Sequence, residues 1–327
     1  MGTGLNKADA KSLAAVLLLL TGVFAGCGAP GAAPVDRPER SIALTFDDAT
    51  RGDGTFFTGV ERTEKLIQSL SDAGVTEAMF FVTTRNVERA GGTGPERLRA
   101  YTDAGHVLAN HSHSHRWLWR TDTNEYVADL DEAIERLREY SNVEPYYRFP
   151  FLDEGRELEK RDALRKALRE RQLKNGYVTV DTYDWHLVTL AKEARDSHTE
   201  FALDDLRDLY VDVITRSVEF YDAMAQNLLG RSPHHVLLLH ENDLAALFVG
   251  DLVAELQRRG FRIVPATEAF KDPIAEREPD SLFLGQGRIA ALAHEAGAKP
   301  ADLVSPTEDE DYLRARFEAE VAALPAP

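Results

Sequence analysis

Residues 41–50 read Ser-Ile-Ala-Leu-Thr-Phe-Asp-Asp-Ala-Thr, and the reading of this stretch decides the fold. Ile42, Leu44 and Phe46 alternate with smaller residues at the period of a strand, and the run stops at two adjacent carboxylates, Asp47 and Asp48. Both acids therefore stand at a strand's C-terminal end, the end that carries the chemistry in barrel-type α/β proteins. Successive residues leaving a strand point in different directions, so one carboxylate can bind a metal while its neighbour faces a substrate. Taken alone, an Asp-Asp pair there is more often a solvated turn or a helix N-cap. The rest of the chain decides between the two.

Upstream of this strand the sequence is not part of the fold. Lys7 and Lys11 precede an apolar run over residues 13–24, short for a bilayer span but suited to the core of a secretory signal. The run ends Val-Phe-Ala-Gly-Cys, which resembles a bacterial lipoprotein processing site with Cys27 as the acylated residue. Phe24 stands where that pattern prefers Leu. Cys27 is the single cysteine of the chain, so it has no disulfide partner. The expectation is an exported protein, lipid-anchored to the bacterial cell envelope; an ordinary secretory signal is the other reading. Residues 28–39, rich in Ala, Pro and Gly, read as a tether.

The 327 residues suit one large domain with additions, and 43% hydrophobic content is ample for a core. A formal charge of −17 offers no basic stripe for phosphates, which argues against a nucleic-acid partner. No protein partner is indicated.

Downstream, strand-like and helix-like periods alternate. Residues 60–73 carry Leu66, Ile67 and Leu70 at helical spacing; residues 77–83 are an apolar run suited to a buried parallel strand. Residues 96–104 form a short helix and 106–109 a strand, and residues 124–140 form an amphipathic helix capped by Asp122 or Thr123. Further strands are expected at 146–149, 176–180, 236–239 and 261–264, with helices at 155–173, 201–228 and 244–259. Such alternation predicts an α/β fold with a parallel sheet, closed as a barrel or partial barrel. Beyond Pro273 the pattern changes to short helices and an acidic run. The expected layout is a signal and acylation site over 1–27, a linker over 28–39, a domain over 40–273 and a C-terminal helical appendage of unknown role over 274–327.

Four more segments carry chemistry, each with a bland alternative. Asn110-His-Ser-His-Ser-His115 follows a strand and puts His111 and His115 on one face of a turn, where two imidazoles can hold a divalent metal; otherwise it is a hydrogen-bonded loop. Arg148, in Tyr147-Arg-Phe-Pro-Phe-Leu-Asp-Glu154, needs an anionic partner if buried, and Asp47 is a candidate; otherwise it is a rim ion pair. Asp181-Thr-Tyr-Asp-Trp185 lies at another strand end and could equally be an Asx turn beside a packed Trp. His240, in Leu238-Leu-His240, emerges from a buried strand and could be a satisfied core histidine.

Taken in order, the five segments resemble the five motifs of the carbohydrate esterase family 4 polysaccharide deacetylases, over roughly residues 40–265. The matching stretches are Thr45-Phe-Asp-Asp48, His111-Ser-x-x-His115, Arg148-x-Pro-Phe151, Asp181-x-x-Asp184-Trp185 and Leu238-x-His240. The resemblance implies a distorted (β/α)7-type barrel with its site at the C-terminal strand ends. It makes Asp48, His111 and His115 the metal ligands, Asp47 the general base, His240 the general acid and Arg148 the partner that orients Asp47. It assigns Asp181 to orient His240, with Asp184 the weaker candidate. It places the Phe151 backbone N–H at the oxyanion, and Trp185 and Leu238 at the acetyl pocket. Ala49 departs from the family's usual Gly, and Phe151-Leu152 from its commoner Tyr-Gly, which bears on loop shape and substrate contacts.

The expected function is a metal-dependent hydrolase that removes N-acetyl groups from an envelope or extracellular glycan: peptidoglycan, chitin-like or poly-N-acetylglucosamine. Zinc is the first choice of cofactor, with Co, Ni or Mn also compatible with two histidines and a carboxylate. The alternatives are an O-acetyl esterase, a non-catalytic glycan-binding lipoprotein, and a non-haem iron enzyme on the same ligand set. The last is at odds with the strand-helix alternation.

Overall fold

The computed structural model describes residues 40–322. Cys27 and the 1–39 segment expected to hold the signal and tether lie outside the described residues. In chain order the elements are β1 (Arg40–Ala49), α1 (Gly59–Asp72), β2 (Met79–Val82), α2 (Thr84–Arg89), α3 (Gly94–Asp103), β3 (Val107–Asn110), α4 (Thr123–Leu137), β4 (Val143–Tyr147), α5 (Leu158–Glu170), β5 (Lys174–Asn175), α6 (Asp184–Asp196), α7 (Leu203–Leu229), β6 (His234–His240), α8 (Asp243–Arg258), β7 (Phe261–Ile263), α9 (Ala266–Ala269), α10 (Gly287–Glu295) and α11 (Glu310–Glu320).

The stretch read first is the centre of the sheet. β1 pairs in parallel with β6 along Ser41–Asp47 on one edge. Its other edge is divided between β7, against Arg40–Ile42, and β2, from Thr45 onward. The sheet continues from β2 through β3 and β4 to β5, all parallel.

Closure comes from a segment the sequence reading took as one strand. Lys174 pairs with Tyr146 of β4, whereas Val180, a few residues on, bridges Leu237 of β6. Residues 174–180 thus run from one edge of the sheet to the other, and a chain of that length reaches no more than about 25 Å. The sheet must therefore curl into a distorted barrel. Residues 176–180 form no strand ladder because they are in transit between the two edges. The carbonyl of Val178, left without a ladder partner, accepts the Arg288 backbone N–H at 2.8 Å.

The strand period sorts the core into two faces. Ile42, Leu44 and Phe46 turn outward into the large cluster shared with α1, α7 and α8, whereas Ala43 packs with Met79, Phe81, Ala109 and Val236 on the other face. Thr45 and Asp47 continue the Ala43 row, so Asp47 is buried inside the barrel mouth, 2% exposed. The helices are capped where the sequence allows. Thr58 and Glu61 form a capping box on α1, Asp122 caps α4 and Asn242 caps α8.

The described C-terminal residues are built into the same unit as the rest of the described chain. Leu303, Leu313 and Phe317 join the large core cluster, and Ile289 and Leu292 join the inner one. The Tyr221 hydroxyl of α7 donates to Glu308 at 2.7 Å. Residues 274–322, expected as a C-terminal helical appendage, thus pack against the preceding elements.

Candidate active site

At the mouth of the barrel the two aspartates part company. Asp47 keeps the strand geometry and points inward, whereas Asp48 adopts a left-handed φ of 67°, which swings its carboxylate out toward the loop after β3. Two histidines wait there. Asp48 Oδ1 lies 3.4 Å from His115 Nε2 and 3.9 Å from His111 Nε2. His115 is itself left-handed at φ 55°, which brings its ring over that of His111 at 5.0 Å between centroids.

The donor set fits a divalent ion. One atom each from Asp48, His111 and His115 lie within 4.8 Å of one another. His111 Nδ1 is 2.9 Å from the Arg148 carbonyl oxygen, which can only accept, so that nitrogen carries the proton and Nε2 keeps its lone pair for the Asp48 side. Burial pushes the His115 imidazole down to about 4, leaving it neutral and able to ligate. Burial acts against charge on Asp48, yet the nearby His115, His240, His111 and Arg51 outweigh it and hold that carboxyl well below the usual range.

Asp47 is tied to a different partner. Arg148, fully buried on the Phe81 ring at 3.7 Å, donates from Nη1 to Asp47 Oδ1 at 2.6 Å and to Thr45 Oγ1 at 2.8 Å. Its Nε donates to the Gly176 carbonyl at 2.7 Å. The guanidinium thus bolts β1 to the closing segment while it orients Asp47. Asp47 Oδ2 stands 3.6 Å from His111 Nε2, beside the candidate metal position.

His240 ends β6 directly opposite Asp47, its register partner in β1. The expectation that Asp181 orients it is corrected: Asp184 Oδ1 is 2.7 Å from His240 Nδ1, and Asp184 Oδ2 accepts the His240 backbone N–H at 2.9 Å and Asn242 Nδ2 at 2.7 Å. The reason is local. Asp181 turns back on its own chain, accepting the Thr182 N–H at 2.8 Å, whereas Asp184 opens α6 and projects across to β6. Burial raises the Asp181 carboxyl to about 7. Burial alone would lower the His240 imidazole, but the Asp184 carboxylate reverses this and lifts it to about 9, so His240 is protonated at neutral pH.

Asp47, Asp48, His111, His115, His240 and Asp181 all line one cleft, whose walls include Phe151, Trp185 and Leu238. Leu238 is 4% exposed and Phe151 50% exposed at the rim. The cleft also takes in Arg51 and residues the sequence reading passed over: Trp117 and, from the C-terminal region, Gly285 and Gln286. The Trp117-Leu-Trp119 run two residues beyond His115 was the available signal for the first wall. Nothing local announces Gln286. Beneath the site, Glu241 is fully buried and binds Arg62, Arg97 and the Tyr101 hydroxyl at 3.1, 2.9 and 3.0 Å. It also accepts the Arg51 backbone N–H at 2.8 Å.

At the C-terminal mouth of a parallel barrel, the Asp-His-His cluster is a donor set that could hold a divalent metal, with a separate aspartate and a separate histidine beside it. Residues 35–173 match the family model for polysaccharide deacetylase. A peptidoglycan-N-acetylglucosamine deacetylase from Bacillus cereus is 29% identical over 147 residues, which cover 44% of this chain and 46% of that protein, so the match spans about half of that relative. Among solved structures, a family 4 carbohydrate esterase from Streptomyces lividans in complex with acetate is 18% identical with a TM-score of 0.47, covering 71% of this chain and 97% of that one. A peptidoglycan deacetylase from Bacillus subtilis is 20% identical with a TM-score of 0.45, covering 71% and 90%.

Proposed function

We propose that the protein is a metal-dependent hydrolase that removes N-acetyl groups from an N-acetylglucosamine-containing glycan of the cell envelope or its surroundings. The observation that carries this reading is the division of labour at the mouth: Asp48, His111 and His115 converge, while Asp47 and His240 are held apart from them by Arg148 and Asp184. A site that only bound metal would need neither of those two supports.

Asp48, His111 and His115 would hold the ion, zinc being the first choice and Co, Ni or Mn fitting the same donors. When bound, a divalent ion there supplies Lewis acidity toward a carbonyl and toward water. The chain's own residues do the rest. Asp47, oriented by Arg148, takes the proton of the attacking water as it adds to the amide carbonyl. The backbone N–H of Phe151 is assigned to the oxyanion, and Trp185 and Leu238 to the walls around the acetyl group. His240, charged through Asp184, gives its proton to the leaving nitrogen. Acetate and a free amine result.

Cys27 is proposed as the site of lipid attachment, tethering an exported domain to the membrane by residues 28–39. Among the described residues no helix is long and apolar enough to cross a membrane.

The test is acetate release from N-acetylglucosamine oligomers by zinc-loaded protein, with an O-acetylated polysaccharide in parallel. Amide turnover supports the proposal. Turnover of the ester alone redirects it to an esterase, and no release from either substrate overturns it.

A further inference from the structure

One wall of the cleft continues outward beyond the reacting groups. From His115 the rings continue outward: His115 meets Phe151 at 4.6 Å, Phe151 stacks on Trp117 at 4.8 Å and 27°, and Trp117 meets Trp119 edge-on at 5.8 Å. Two of these are large apolar groups left in water, Phe151 at 50% and Trp119 at 42% exposure. Contiguous exposed aromatics of this kind mark ligand grooves.

Two cations lie on the outer end. Arg120 sits 4.7 Å from the Trp117 ring centre and 4.8 Å from that of Trp119; Arg156 sits 5.6 and 5.1 Å from the same two rings. In a chain of net charge −17, arginines readily find carboxylates, as neighbouring Arg116 does with Glu125 and Asp129. Arg120 and Arg156 have no carboxylate within ion-pair distance among the described residues. Asp153, in the same loop as Arg156, is buried and spent on the backbone N–H groups of Trp119 and Gly155. A guanidinium lying on a ring leaves its planar N–H fork free, and that fork matches a carboxylate.

We propose that this strip binds the sugar next to the one being deacetylated, and that this neighbouring sugar bears a carboxylate. Phe151 and Trp119 take the apolar faces of the glycan, while Arg120 and Arg156 pair with the acid. The inference rests on the deacetylase reading, because it fixes which end of the strip holds the reacting sugar. It narrows the substrate to an acidic, alternating glycan and disfavours a neutral homopolymer.

Two probes differ in this feature: an N-acetylglucosamine tetramer, and a tetramer alternating N-acetylglucosamine with N-acetylmuramic acid, whose lactyl ether carries a carboxylate. Both kcat/KM and the dissociation constant are measured, the latter directly, so that binding is read without turnover. The wild type is expected to prefer the acidic tetramer, and Arg120→Gln/Arg156→Gln to lose about tenfold of that preference, the size two exposed ion pairs supply. Arg120→Lys/Arg156→Lys keeps the charge and is expected to recover part of it, while Arg120→Glu/Arg156→Glu inverts it. A preference for the acidic tetramer that the Gln pair leaves unchanged overturns the assignment, as does no preference at all in the wild type. If neither tetramer is turned over but the acidic one binds more tightly in an arginine-dependent way, the deacetylase reading fails and the anionic glycan strip stands.

Discussion

His240 Nδ1 lies 2.7 Å from Asp184 Oδ1, and the other oxygen of the same carboxylate holds the His240 backbone N–H. One side chain thus fixes both the ring and the strand end that carries it. The His240 imidazole is raised to about 9, so it is the acid form below that pH and is lost as pH rises through it. The rate of deacetylation is expected to fall on the alkaline side with an apparent pKa near 9. Asp184→Asn keeps a hydrogen-bond acceptor but removes the charge, and is expected to bring that limb down to about 6.5 or below. A pH profile of kcat for both proteins checks this. Linkage gives the same sign for stability: the pair's contribution is full below about pH 6.5 and is lost as pH rises through about 9.

Asp47→Asn and His240→Ala each remove one partner of the acid-base pair while leaving Asp48, His111 and His115 in place. Each is expected to lower kcat by about 10² to 10⁴. Metal content, measured by elemental analysis after dialysis, is expected to stay at the wild-type level. Wild-type turnover in Asp47→Asn would show that another group is the base.

His111→Ala and His115→Ala attack the ligand set itself. Zinc affinity is expected to fall by more than about tenfold in each, since even losing a group that supports a metal ligand costs that much. Treatment of the wild type with a chelator is expected to abolish acetate release, and added zinc to restore it.

Glu241 stands fully buried between Arg62 and Arg97. Glu241→Gln leaves two buried guanidiniums with one fewer countercharge, and breaking such a group by removing one partner costs about 3–5 kcal/mol. Urea denaturation followed by circular dichroism measures this loss. Arg51, a wall of the cleft whose backbone N–H ends on Glu241, is expected to move with it, so KM is expected to rise as well.

Phe317 of α11 packs against Phe201 at 6.1 Å and joins the large core. Phe317→Ala is expected to cost about 3–5 kcal/mol. A chain cut after residue 273 is expected to lose cooperative unfolding, because Ile289, Leu292, Leu303 and Leu313 leave both core clusters at once.

Much of the site was legible because its signals are short-range. The alternation of Ile42, Leu44 and Phe46 marks a strand wherever it lies, and a strand fixes where Asp47 and Asp48 emerge. The His111 to His115 spacing likewise belongs to one turn. The choice between Asp181 and Asp184 was not legible, since both are three residues apart in one segment and either could have reached His240. The same holds for residues 176–180, whose apolar run reads as a strand but is spent crossing between two sheet edges.

The sequence by itself determined the parallel α/β alternation and the strand ends from which Asp47, Asp48 and His240 emerge, because periodicity acts through the local chain; the roles of these residues, and of His111, His115 and Arg148, were what the family resemblance implied. Only the tertiary structure decided that Asp184 holds His240, that Arg148 spans from Asp47 to Gly176, that Glu241 binds Arg62 and Arg97, and that residues 274–322 complete the core and the cleft. Those contacts join residues from about 30 to more than 170 positions apart. They form because closing the barrel buries charges that then take whichever partner lies within reach.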